Sequence, residues 1–237
     1  MLDTILFDLD GTLLPLDMEK FLQIYFGEMG QHLADLVEPR QLVKMIWAAT
    51  DSMVNNTEYR TNETVFMEHF GELIQGDLSA YQKRFDEFYD QGFLKTRAAV
   101  EEIPVIAETV NLLKEKGYNL VVATNPIFPQ KAIYHRIRWA GFEPADFMYI
   151  TSYEHNHYCK PQPHFFRELL QETGKSPEQC LMVGNDVQED LAAATAGIQT
   201  YLITNHIIHR SAEPVNTTYQ GTYQEFYEFV QALPKVG

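Results

Sequence analysis

Apolar positions along this chain follow two rhythms. Thr4 to Asp8 (TILFD) is a short β-favouring run ending in an acid and followed by Gly11, which predicts a buried first strand opening into a tight turn. From about Asp17 to Asp90 the spacing becomes helical. Asp17 can cap a run carrying Phe21, Leu22, Tyr25 and Phe26, and Pro39 can start a second carrying Leu42, Met45, Ile46 and Ala49. Helical segments near Thr61 to Phe70 and Ser79 to Gly92 follow, and the aromatic positions Phe66, Phe70, Tyr81, Phe85, Phe88 and Tyr89 fit the core of a bundle.

After Pro104 helices and strands alternate. Helix Val105 to Lys116 stops at Gly117 and leads to strand Asn119 to Thr124. Helix Pro129 to Ala140 stops at Gly141 and leads to strand Phe147 to Ser152. Helix Pro163 to Glu172, strand Cys180 to Val183, helix Val187 to Ala196 and strand Gln199 to Ile203 complete the series, and Tyr223 to Ala232 reads as a closing helix. Such alternation predicts an α/β fold, a Rossmann-like parallel sheet with helices on both faces. The later strands need Thr4 to Asp8 as a partner, so the helical block is an inserted α-helical bundle. The expected division is a core of residues 1–16 and 98–237 with an insertion of 17–97.

With 237 residues, 45% hydrophobic and 22% charged, the chain is expected to be a packed, water-soluble protein. The 33 acidic against 18 basic residues give a formal charge of −15, which opposes nucleic-acid backbones and anionic lipid. No apolar run is long enough for a membrane span and no leader pattern is evident, so a cytoplasmic location is expected. Cys159 and Cys180, two cysteines without CxxC spacing, fit a reducing compartment.

Ligands of open α/β sheets bind beyond the carboxyl ends of the strands, and there the polar residues converge. The first strand runs into Asp8-Leu9-Asp10-Gly11-Thr12, the second into Thr124-Asn125, a later loop carries Lys160-Pro161, and the fourth strand ends in Gly184-Asn185-Asp186, with Asp190 four residues on. Acids gathered in this way repel unless a hard cation sits among them, and oxygen-only ligation suits Mg²⁺. The Thr124 hydroxyl and the Lys160 ammonium suit the oxygens of a phosphoryl group. Taken singly, each signal has a plain structural explanation. Asp-Gly marks turns, a strand-end Thr bonds backbone, a loop Lys is solvated and Asp186 can cap a helix. Their shared order and shared sheet end carry the functional reading.

This pattern resembles the haloacid dehalogenase-like hydrolases, most of them Mg²⁺-dependent phosphatases. The likeness covers about Met1 to Leu14 and Pro104 to Asn205, with the helical block in the place of that family's first-site cap. Asp8, Asp10, Gly11 and Thr12 match the opening DxDGT motif, Thr124 the second motif, Lys160 the third and GNDVQED (Gly184 to Asp190) the acidic fourth. Asn185 departs from the family's usual acid after the glycine, which passes the metal role to Asp186, with Asp190 keeping the Asp-x-x-x-Asp spacing. The resemblance implies Asp8 as nucleophile, Asp10 as acid and base, and Thr124, Asn125 and Lys160 as binders of the phosphoryl group. It also implies Mg²⁺ held among Asp8, Asp10, Asp186 and Asp190.

The expected activity is a phosphomonoesterase acting on a small phosphorylated metabolite, with the bundle as a lid. A phosphomutase, a haloacid dehalogenase and a non-catalytic phospho-ligand or protein-binding module are the competing readings, and a monomer and a dimer are equally open. Asp10 and the acidic fourth motif count against dehalogenation. Lys20, Arg40, Lys44, Arg60 and Arg97 are the cations available to the bundle for specificity. His155 and His157 read as residues of a polar surface loop rather than zinc ligands.

Overall fold

The structure is a computed structural model that describes residues 1–236. Six parallel strands form one sheet in the order β3-β2-β1-β4-β5-β6. They are β1 (Thr4–Phe7), β2 (Asn119–Val122), β3 (Tyr149–Ile150), β4 (Cys180–Gly184), β5 (Gln199–Ile203) and β6 (Tyr219–Gly221). β1 lies at the centre, with Leu6 in register with Val121 on one side and Met182 on the other. The strand order reverses beside β1, so the loops after β1, β2 and β4 face one crevice.

Alternation along the strands assigns their two faces. Ile5, Phe7, Val122 and Val183 join one apolar cluster, while Leu6, Val121 and Met182 join a second with Phe165, Phe166 and Leu169. The first cluster continues unbroken into the helical block: α1 (Met18–His32), α2 (Pro39–Val54), α3 (Asn62–Leu73) and α4 (Leu78–Asp90). The helix starts expected at Asp17 and Pro39 form, and Thr61 adds a cap to α3. The Asp17 carboxylate accepts the Lys20 amide, the Thr61 hydroxyl accepts that of Thr64, and Pro39 opens α2 behind a Glu38 cap. The chain leaves and re-enters the sheet domain through paired segments, Asp17 N–H donating to the Ala99 carbonyl and Glu101 N–H to that of Pro15, at 2.9 Å each.

The remaining helices are α5 (Pro104–Glu115), α6 (Gln130–Trp139), α7 (Pro163–Thr173) and α8 (Tyr223–Ala232). Two expectations need correction, and one strand is additional. Val187 to Ala196 is not an α-helix but a turn followed by a 3-10 segment, Leu191–Ala196. Here the Asp186 carboxylate takes the amides of Gln188 and Glu189, and that of Asp190 takes the Asp186 amide. These local bonds compete with the helical ladder. β3 is shorter than Phe147 to Ser152, although the Met148 and Thr151 amides still donate to the carbonyls of Leu120 and Val122 on β2. β6 had no expectation, because it is a three-residue edge strand behind a polar run.

Gly92–Ala99 is a 3-10 segment that returns the chain from the block to the sheet. Phe93, fully buried there, packs edge-on against Phe21, Tyr25 and Phe88 of the block and stacks on Trp139 of α6 at 5.6 Å. Phe93→Ala is expected to cost about 3–5 kcal/mol of stability through the cavity it leaves, read as a lower denaturant midpoint.

Candidate active site

The loops after β1, β2 and β4 and the inner faces of the helical block enclose a cavity of about 320 Å³. Asp8, Asp10, Thr124, Asn125, Asp186 and Asp190 all line it, so six of the seven residues singled out in the sequence meet in one place. The seventh, Lys160, lies beneath the cavity floor. Its ammonium is 1% exposed and donates to Asp8 Oδ1 at 2.9 Å and Asp190 Oδ1 at 2.6 Å, a buried cation shared by carboxylates from two strand ends.

Local geometry fixes these positions. Gly11 has φ +82°, a left-handed turn that folds the chain back after Asp10, and a Cβ there would collide with the Asn185 side chain. Asn185 bridges the two loops, accepting from the Thr12 hydroxyl at 3.1 Å and donating to the His206 carbonyl at 2.8 Å. A Cβ at Gly184 would strike the Asp190 carboxylate, so glycine is what lets Asp190 tuck under the strand end. Asn125 accepts the Lys160 amide at 3.1 Å and donates to Glu189 at 3.0 Å, which ties the β2 loop to the lysine segment. The Thr151 hydroxyl holds the Thr124 carbonyl at 2.6 Å.

Asp190 reaches the site in a bracing role. Its Oδ1 is engaged by Lys160 and its Oδ2 accepts the Asp186 amide at 2.9 Å, so both oxygens are committed. Asp186 instead pairs with the half-exposed Arg210, through contacts of 2.6 and 3.0 Å. Arg210 is held there because the amides of Val187 and Ile208 exchange hydrogen bonds between its segment and the Asp186 loop. Among the described residues no three acids, histidines or cysteines are already gathered at metal-ligand spacing. The donor chemistry nonetheless fits a hard cation. Asp8 and Asp186 supply carboxylate oxygens on one cavity wall, and Asp8, Asp10, Asp186, Glu189 and Asp190 outnumber the cations Lys160, Arg136 and Arg210.

Two side chains that pair with these acids are not among the residues picked out in the sequence. Arg136, fully buried on α6, forms an ion pair with Asp10 Oδ2 and lies 4.4 Å over the Phe128 ring. Its trace in the sequence is a cation on a helix face otherwise made of Ala132, Ile133 and Ile137. Arg210 sits in an irregular loop without periodicity. Histidines play structural parts: His157 Nδ1 pairs with Glu168 at 2.5 Å and its ring stacks on Tyr59 at 3.9 Å, while His155 Nδ1 bonds the Ser152 hydroxyl at 3.0 Å.

Burial pushes Asp8 up to about 8; Lys160 opposes this, and Asp190 and Asp10 add to it. Burial likewise raises Asp10 against the pull of Arg136, and its Oδ1 is buried without any hydrogen-bond partner. Lys160 is held well above the ordinary lysine range by Asp190 and Asp8 despite the opposing effect of burial. A carboxyl whose folded-state value lies above its unfolded value stabilises the fold while protonated and loses that contribution as pH rises through the folded value. Metal-free protein is therefore expected to lose thermal stability relative to Asp8→Asn between about pH 4, the unfolded value, and pH 8. Parallel melting curves for the two proteins in chelator across that range check this.

The family model described as haloacid dehalogenase-like hydrolase matches residues 2–197. A pyrophosphatase, PpaX, from Bacillus cereus is 21% identical over 203 residues, 86% of this chain and 83% of its own. Among solved structures, the HAD phosphatase from Thermococcus onnurineus superposes with a TM-score of 0.62 at 16% identity, over 99% of this chain and 100% of that one. The putative HAD-hydrolase YfnB from Bacillus subtilis, bound to magnesium, gives 0.60 at 18% identity over 97% and 98%.

Proposed function

This chain belongs to the haloacid dehalogenase-like hydrolase family, and we propose that it is a Mg²⁺-dependent phosphomonoesterase acting through a phosphorylated Asp8. The observation that carries the reading is the pairing of two unlike carboxylates at one cavity. Asp8 is supported by the Lys160 ammonium, and Asp10 is held by Arg136 with its second oxygen free of partners. Lys160 favours the ionised form of Asp8, which attacks phosphorus in line while the bond to the leaving oxygen breaks.

Asp10, whose pKa burial raises, can carry a proton on Oδ1 and deliver it to the departing alkoxide. The resulting carboxylate then takes a proton from the water that displaces phosphate from Asp8. Arg136 fixes Asp10 through the other oxygen, so the two steps use one unmoved side chain. The Thr124 hydroxyl, at the β2 end, lines the cavity and would donate to an equatorial oxygen, while Asn125, its amide engaged by Lys160 and Glu189, holds the loop in place. The Asp8 carboxylate, the Asp10 carbonyl and Asp186 would hold Mg²⁺, which when bound supplies positive charge to the phosphoryl oxygens and to Asp8. Arg210 would then release Asp186.

Every acid that the chemistry needs is present, which disfavours a non-catalytic binding module. A phosphomutase must hold a second phosphate opposite the first, and the block wall of the cavity offers no lysine or arginine for it among the described residues. The buried thiols of Cys159 and Cys180 fit the cytoplasmic location expected from the sequence.

Phosphate release from a panel of monoesters should require Mg²⁺, stop in EDTA and be abolished in Asp8→Asn. Asp10→Asn should slow alkyl phosphates by about 10²–10⁴-fold and aryl phosphates far less, because only the former need a proton on the leaving oxygen. Activity that persists in Asp8→Asn overturns the nucleophile.

A further inference from the structure

The chemistry of the cavity wall changes across its width. On the sheet side it is polar, with Asp8, Asp10, Thr124, Asn125 and Asp186. On the side formed by the helical block it is almost wholly apolar, including Phe21, Phe26, Ile46, Phe66, Met67 and Phe85. Tyr25 and Tyr89 also line that side, their hydroxyls bonded to each other at 2.9 Å so that one O–H of the two is used, and with the Thr50 hydroxyl and the Trp47 indole N–H they are the few polar groups of this wall.

None of the block's five candidate cations reaches this wall. Lys20, Arg40, Lys44 and Arg97 are exposed and absent from the lining, and Arg60 is paired with Glu68. Among the described residues the only lysine or arginine on the lining is Arg210, which stands beside Asp186 in the loop after β5 rather than on the helical block. A leaving group entering this space meets aromatic and thioether surface. Transferring apolar area from water to such a surface is favourable. A second phosphate, a carboxylate or a polyol would instead give up hydration with few groups to replace it.

We propose that the site selects phosphomonoesters whose leaving alcohol is uncharged and apolar, an alkyl or arylalkyl monophosphate, over inorganic pyrophosphate, phosphorylated carboxylic acids and sugar phosphates. This rests on the phosphatase reading above and extends it to the half of the substrate that does not react. The cavity volume of about 320 Å³ lies at the lower end of small-molecule sites and accommodates a phosphoryl group with a short chain or one ring. Half-exposed Trp47 and partly buried Leu22 also line the cavity, which extends the apolar surface from the buried rings toward solvent.

The preference is read in two ways, one independent of turnover. The first compares kcat/KM for hexyl and 2-phenylethyl phosphate with glycerol phosphate, glucose 6-phosphate, phosphoglycolate and pyrophosphate. The first two have leaving alcohols of acidity comparable to those of glycerol and sugars, so intrinsic reactivity does not decide the order among these esters, and pyrophosphate, with its better leaving group, is favoured by reactivity alone. The second measures binding of alkylphosphonates to Mg²⁺-loaded protein, where each methylene from methyl to hexyl should tighten affinity about fourfold.

Thr50→Lys, which places a cation on the apolar wall, should shift the preference toward phosphoglycolate and pyrophosphate, while Thr50→Gln should not. If phosphate is released but the sugar or anionic substrates lead, the apolar assignment is wrong and the phosphatase reading stands. Absence of turnover from every substrate, with phosphonate affinity still rising with chain length, refutes the phosphatase and keeps the apolar chamber. Phosphonate affinity independent of chain length overturns the proposal.

Discussion

One buried ammonium holds this site together. Lys160 lies between Asp8 at the end of the central strand and Asp190 below the end of β4, and both carboxylates are close enough to bond it. Removing two acids from water is tolerable only when a cation and hydrogen bonds replace the lost hydration. Here the replacement is incomplete by design of the sequence: one ammonium serves two carboxylates, and Asp10 and Asp186 rely on Arg136 and Arg210. The remaining excess of negative charge gives a chain with net charge −15 a place where a divalent cation, and behind it a phosphoryl group, is attractive rather than repelled.

The sheet creates that meeting point. Because β1 is flanked by β2 and β4 in parallel register, residues far apart in the chain leave the sheet side by side, and Gly11 and Gly184 let the two acidic loops approach closely. The helical block inserted after β1 closes the opposite side with aromatic surface. The same apolar cluster that stabilises the block extends to the sheet, so the packing of the lid and the shape of the reaction chamber are one problem.

Much of this was legible in the sequence, and for identifiable reasons. Five of the six strands, the inserted bundle and the helix starts at Asp17 and Pro39 follow from periodicity and local hydrogen bonding, which neighbours along the chain decide. The carboxylates could be placed because strand ends of a parallel sheet share one edge. What escaped was set by distant partners. The bonds of Asp186 and Asp190 turn an apparent helix into a tight loop, and β6 exists because β5 offers it an edge. Arg136 becomes a partner of Asp10 only once α6 brings the two together. Lys160, read as a phosphoryl ligand, has its charge directed at acids beneath the cavity floor.

The central claim is that Asp8 becomes covalently phosphorylated. Rapid acid quenching of a reaction with substrate labelled in its phosphoryl group, followed by peptide mapping, addresses it directly. The account predicts transient label on the peptide carrying Asp8, appearing before free phosphate and accumulating when hydrolysis is slowed in Asp10→Asn. Phosphate formed at full rate with no label on the protein at any time would contradict it.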